Sequence, residues 1–566
     1  MSPTRLLASL LASVLLVAAA VAIDRSPDAD PAAAPRPDRS PTGAETSPES
    51  PSPTLSPSPA DPEASARALE LLTSTDAAAA AGGEEVLGAG LTLAQGDWRT
   101  LGDPAWPVRA ERPVYVVEAS LGDGAQRVDA DVVIAWRPDR DEERVVLRSL
   151  ATSTVLQQNG GEVALEVSLD GEPVEFEEDG DGARIIIPAS IGAGEAHLLR
   201  LRIGYDLVEG SRLDGRGGPA GFGLLARFPE GGGVPLTANL GHWLPLLTFD
   251  PGPMVPWGDV GAFPVAIWSV LIDHAGEIVT GGEEDTCPAE VEVIAACTWA
   301  RGLSLRDLSA VWFGDPPIVA TGQVGRLTVN AVAPADTFTR EVNRQALVES
   351  TGSVEVFAEV LGPVAWREFD VVAAHLLEGA AGMEFPGLVI IDLDVYAALS
   401  GRFGTYVIAH EAAHQWFHAL VGNSSLDSPV IDESLAQYLG VLFYAEAFGE
   451  DAADQLARSA IRDRYAGARQ RGLEDEPPAQ PLEEFEGDAA YGPLVYARAP
   501  LAWLAAEEQL GRDRLLAFLA ELVDRYALDH VSDDELLDDA TAFDPDLGEI
   551  LQRYWFDPAP VDGPTG

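Results

Sequence analysis

Residues 410–433 read HEAAHQWFHALVGNSSLDSPVIDE. His410 and His414 are four apart, and Glu411 lies between them. A helix turns about 100° per residue, so all three side chains face one side. Imidazole nitrogens one turn apart can bind a single ion at about 2.0–2.1 Å. Glu411 then sits beside that ion without ligating it, where a general base for water belongs. A catalytic zinc needs a third protein ligand and an open position. Glu433, with 18 residues between it and His414, is the candidate. That spacing lets the first helix finish and a Gly-Asn-Ser-Ser loop turn the chain. A second helix is then expected to start with Ser428 as N-cap and Pro429 at its first position. His418 falls on the same predicted face, but about 12 Å along the axis from His410, too far to share its ion. It reads as a cleft-wall or outer-shell residue. The competing explanation is an HExxH that occurs by chance on an amphipathic helix. Against it, three of the chain's eight His fall in this one segment.

The chain has 566 residues, 46% of them apolar, enough for two or more domains. Its formal net charge is −55, from 91 acidic and 36 basic residues, and it contains no Lys. Such a surface argues against nucleic acid or anionic membranes as partners.

Residues 1–22 read as a signal peptide: one Arg, an apolar run, and Ala20-Val21-Ala22 before the cleavage point. Secretion is expected. The alternative is an uncleaved anchor holding the protein at the cell surface, since the run is just long enough to span. Residues 23–64 are a Pro/Ser/Ala-rich tether that cannot bury a core. Residues 65–86 read as a helical lead-in, with Ser65 as N-cap and a helix over Ala66–Ala81 closed by Gly82-Gly83. The two cysteines, Cys287 and Cys297, lie in a strand-like segment. In an exported chain they are expected to form a disulfide across a hairpin, two core thiols being the alternative.

Residues 87–335 alternate β-branched runs (VYVVEASL, ADVVIAW, ARIIIPA) with DG and GG turns, which predicts a large, mostly antiparallel β-domain. Its Trp- and Pro-rich stretch 241–259 reads as a cleft-facing segment or a packed loop. Helical periodicity dominates 336–558, and 559–566 is a tail. Within the helical part, GMEFPGL at 382–388 reads as a glycine-rich turn between strands, where backbone can approach a ligand and Glu384 would project as a fixed anion. An ordinary tight turn with an exposed Glu is the alternative.

Three segments together carry a family resemblance: HEAAHQWF with IDESLAQY 18 residues on, GMEFPGL upstream, and VYARAPLAWLAAEEQLG at 495–511 downstream. They resemble, in order and rough spacing, the aminopeptidase N-like gluzincin peptidases, with their HExxH-x18-E and GxMEN motifs. The resemblance covers about 90–558. It implies an α+β multidomain fold: a saddle-like N-terminal β-domain followed by a thermolysin-like, mainly helical catalytic domain.

The family's roles transfer to matching positions. His410, His414 and Glu433 would hold one Zn2+ per chain, and Glu411 would activate water. Glu384 would bind the free α-amine of a peptide, with the backbone of Gly382 and Met383 lining it. Tyr496 would donate to the oxyanion, although Tyr491, five residues earlier, leaves open that either is a packing aromatic. The implied activity is a zinc aminopeptidase acting on peptides with a free N-terminus. The alternatives are a hydrolase of another small amide or epoxide, or a peptidase-like scaffold without turnover. Three departures stand out. Phe385 replaces the motif Asn, which removes an expected substrate contact. Arg498-Ala499 replaces the usual Lys-Gly after the tyrosine. Little chain follows the catalytic helices, so a large C-terminal helical domain is expected to be absent and the cleft more open.

Overall fold

The computed structural model describes residues 62–561, apart from 179–182, 214–220, 232–235, 250–251, 253–254, 256–260, 289–295, 378 and 400. The expected signal segment and nearly all of the tether lie outside the described residues. Among those described, no helix is long and apolar enough to cross a membrane.

Three short helices open the described chain: Pro62–Leu72, Thr75–Ala81 and Gly83–Gln95. This corrects the expected single helix over 66–81. The chain breaks at Thr73-Ser74, and the Ser74 side chain caps the second helix by accepting from the Ala77 amide. Residues 83–95 form a third helix that runs past the expected boundary at 86 into the expected β region, and the first strand begins only at Val114.

The helices cover one face of an eight-stranded sheet that is antiparallel except where Val114–Leu121 pairs in parallel with Ala266–His274. Its strands obey the two-residue alternation. Val114 and Val116 pack under the helices with Val86, Leu93 and Trp98, while Tyr115 and Val117 face the main core. Two four-stranded sheets complete the β-domain. Cys287 and Cys297 form the expected disulfide, with Cα atoms 5.5 Å apart, linking the neighbourhood of strands Glu283–Thr286 and Ala296–Leu305.

A separate five-stranded sheet opens the part expected to be catalytic. Its order is 318–324, 327–333, 368–374, 388–392, 382–385. The three middle strands run parallel, and both edges are antiparallel. Strands 318–324 and 327–333 therefore belong with the catalytic sheet, although the sequence reading ended the β-domain at 335. Arg340–Leu361 is one 22-residue helix that crosses between parallel strands. Thr339 caps its start, accepting from the Val342 amide. Helices follow from Arg402 onward, including one at Asp533–Phe543 with a Ser532/Glu535 capping box.

Candidate metal and substrate site

Two buried helices build the centre. Arg402–Ala413 brings in His410 and Glu411, and Val430–Phe448 brings in Glu433. The second helix begins at Val430 with Pro429 in the cap position. No side chain caps this start, and the expected start signal was misplaced by one residue. The first helix stops at Ala413, with His414 as its C-cap. His418 therefore does not extend the same helical face. It lies beyond the break at φ +125°, with its Nδ1 3.3 Å from Asp432 Oδ2 and its ring 6.1 Å from that of His414. The conclusion that it stands outside the ligand set survives, for a different reason.

His410 Nε2 and His414 Nε2 converge to 3.3 Å. Glu433 Oε2 lies 3.4 Å from the first and 3.7 Å from the second. Tetrahedral ligands at about 2.0–2.1 Å from an ion stand about 3.3–3.4 Å apart, so this donor set fits zinc. His414 Nδ1 donates to the Phe417 carbonyl at 3.1 Å, which leaves Nε2 for a metal. Burial pushes His410 down to about 4 and His414 well below its ordinary value. Both imidazoles are thus neutral, the form that ligates. The residues that would hold zinc are His410, His414 and Glu433.

Glu411 is 5% exposed, and its Oε2 has no hydrogen-bond partner among the described residues. Burial, and then the charges of Glu384 and Glu433, push its carboxyl well above the usual range. Such a group is poised to take and return a proton.

The edge strand Gly382–Phe385 passes beside it. A Cβ on Gly382 would lie 2.3 Å from Glu411 Oε1, so only glycine lets the strand come this close. Ligand atoms of Glu384, Glu411 and His414 lie within 4.8 Å of one another. Met383 is half-buried on the same strand. Phe385 points the other way. It is 1% exposed and meets the His242 ring edge-on at 5.2 Å. The motif Asn is thus replaced by a side chain serving the core.

Tyr496 lies in a π-helical turn, Leu494–Arg498, and its hydroxyl donates to Glu433 Oε1 at 2.5 Å. Burial, and then Glu433, hold its pKa far above 10, so it keeps its proton as a donor. Tyr491 meets it edge-on at 5.8 Å and packs with Phe485, so Tyr496 is the tyrosine at the ligand set. Arg498 is fully buried and donates to the carbonyls of Tyr554, Glu476 and Asp557. The arginine thus fastens the last helix to the tyrosine segment. From the stretch 241–259, Val255 packs with Leu426, Tyr491 and Val495, beside the site.

Sequence reasoning missed three neighbours. Asp432 holds His418, and Gln415 bonds the turn after Phe385. Arg464 stands over the Tyr496 ring, 5.6 Å from its centroid. Position next to a predicted ligand could have flagged Asp432 and Gln415. Nothing distinguishes Arg464 from the other arginines of its helix.

A β-domain is thus joined to a helical domain that carries this His-His-Glu set. Residues 351–554 match the peptidase family M1 domain. It is 30% identical over 195 residues to aminopeptidase N of Lactobacillus delbrueckii subsp. lactis, covering 31% of this chain and 22% of that protein. It is 27% identical to mouse aminopeptidase RNPEPL1, covering 33% and 26%. The match thus spans about a quarter of the length of these relatives. Among solved structures, the M1 zinc metallopeptidase of Deinococcus radiodurans superposes with a TM-score of 0.56 at 19% identity, over 81% of this chain and 98% of that one. Yeast LTA4 hydrolase superposes at 0.57 with 15% identity, over 82% and 71%. These two establish the shared fold.

Proposed function

We propose that this chain is a zinc-dependent aminopeptidase that releases N-terminal residues from peptides. The observation that carries this is the edge strand that sets the Glu384 carboxylate beside Glu411 and His414. Two neighbouring carboxylates repel, and a substrate ammonium placed at Glu384 relieves that repulsion. Binding is thereby tied to a free N-terminus.

Zinc, when bound, supplies Lewis-acid polarisation of the scissile carbonyl and makes water more acidic. The protein's residues do the rest. The backbone of Gly382 and Met383 aligns the peptide along the strand edge, as in β-strand addition. Glu411 takes a proton from the attacking water and returns it to the leaving amine. Tyr496, held protonated, donates to the developing oxyanion, exchanging its bond to Glu433 for one to substrate.

We further propose that the protein is exported. The Cys287–Cys297 disulfide and the apolar N-terminal run support this.

The test is release of arylamine from aminoacyl arylamides by zinc-loaded protein, with free and N-acetylated substrates. Release from the free form alone is expected. Equal release from both would overturn the exopeptidase reading, and release from neither with zinc bound would favour a scaffold.

A further inference from the structure

The turn that follows the substrate strand is held from two sides. Gly382–Phe385 is a four-residue edge strand with a single neighbour in the sheet, Leu388–Asp392. Such a strand has little of its own to fix its height above the metal ligands. Gln415, the residue after His414, reaches its end. The Gln415 Nε2 donates to the Phe385 carbonyl at 3.0 Å, and its Oε1 accepts from the Gly387 amide at 2.9 Å. The side chain is 2% exposed, and both ends of its amide are satisfied by that one turn.

From the other side comes the β-domain. Gly387 has φ +75°, and a Cβ on it would lie 2.1 Å from the Gly281 carbonyl oxygen. A Cβ on Gly281 would lie 2.3 Å from the Pro386 carbonyl oxygen. The two backbones touch, so the turn has no room to shift toward the β-domain.

We propose that Gln415 is a positioning residue. With the Gly281–Gly387 contact it fixes the Glu384 carboxylate relative to Glu411, and hence the register at which a peptide amine is measured from the cleavage point. The proposal rests on the aminopeptidase reading above. Gln415 touches neither metal nor substrate. It acts through the strand, by joining the turn that ends the helix of His410 and Glu411 to the residue next to Glu384.

The test uses the full zinc-loaded chain and the variants Gln415→Ala and Gln415→Glu. Four readouts apply: zinc content, KM and kcat on aminoacyl arylamides, the preference for free over N-acetylated substrate, and amide hydrogen exchange at Gly387. Both variants should keep one zinc. Gln415→Ala should raise KM about tenfold with a smaller change in kcat, and lower the preference for a free amine. Exchange at Gly387 should speed up about tenfold. Gln415→Glu keeps the acceptor for Gly387 but removes the donor to Phe385. It should therefore raise KM while exchange at Gly387 stays slow. Faster exchange with wild-type KM and preference would overturn the proposal, as would unchanged exchange in Gln415→Ala. If the wild-type protein cleaves both substrates alike, the aminopeptidase reading fails separately, and the exchange data still judge the clamp.

Discussion

Two carboxylate clusters in this molecule look alike by distance and differ in chemistry. Glu384 and Glu411 converge with His414 at the metal set, and Glu284, Glu368 and Asp370 converge where the β-domain meets the catalytic sheet. In each, three ligand-capable atoms lie within 4.8 Å of one another. The first contains a neutral imidazole, a tyrosine donor close by and the edge of a sheet. The second is satisfied from within the protein. The Asn330 side-chain amide donates to Glu368 and Asp370, and the Thr280 backbone amide donates to Glu284. Burial and mutual repulsion raise Glu284 to about 8 and Asp370 well above its ordinary value. Raised carboxyls occur in both sets, Glu411 included, but only the first adds imidazoles and a tyrosine, a set shaped for a cation and an amine.

The strongest way to break this contrast is to count metal. The chain should bind one zinc, and chelation or His414→Ala should abolish both the zinc and all turnover, as read by metal analysis and arylamide release. A second tightly held zinc at Glu284, Glu368 and Asp370 would erase the distinction. Next, Glu411→Gln should keep the zinc and lower kcat about 10³–10⁴-fold, the scale of a general base. A smaller effect is expected from Glu384→Ala. Losing one charge-assisted contact to the substrate amine, about 2–3 kcal/mol, should lower kcat/KM about 30–150-fold, mostly through KM.

The smallest effect lies in the other cluster and appears in stability. Carboxyls whose pKa is raised by folding bind more protons folded than unfolded. Their stabilising contribution is complete below the ordinary carboxylate range and is lost as pH rises through about 8. Each such proton contributes a slope of up to about 1.4 kcal/mol per pH unit inside that window. The thermal midpoint should therefore fall between pH 5 and pH 9. Asp370→Asn, which keeps an acceptor for Asn330, should flatten the fall without changing the Km for arylamides at neutral pH. A pH-independent midpoint in the wild-type protein would show that this cluster is ionised in the native state.

The metal set was legible because chemistry constrains it twice, by the helical repeat that brings His410 and His414 together and by the ligand count that calls for Glu433. Glu384 was legible without a family motif only as a fixed anion in a glycine-rich turn, and Tyr496 not at all, since neither an edge strand nor a π-turn announces itself in a single sequence. The run at 326–333 was read as a strand but placed in the β-domain, and the strand at 318–324 was not picked out, because β-periodicity says nothing about partners. The helix at Gly83–Gln95 was lost because its glycines and β-branched residues lower helix propensity, while packing against the sheet supplies what propensity does not. His418 was placed on a helix that ends at Ala413. The buried Phe385 could not be anticipated, because its partners His242 and Gly241 come from a distant domain.

The parallel pairing of Val114–Leu121 with Ala266–His274 bears on how the chain is made. Val114 finds one partner nearby, Ala135, but its other, Ile267, is far along the sequence. During synthesis, the strand's second edge stays open until that partner has emerged. An uncovered apolar edge of this kind is a template for pairing with another nascent chain. Strand Ala296–Leu305 must then dock on Ala266–His274 before the sheet is complete. Completing the β-domain thus requires a long loop closure, of the kind expected to slow folding. A chain that crosses a membrane unfolded would meet this step on the far side, where the disulfide can also form.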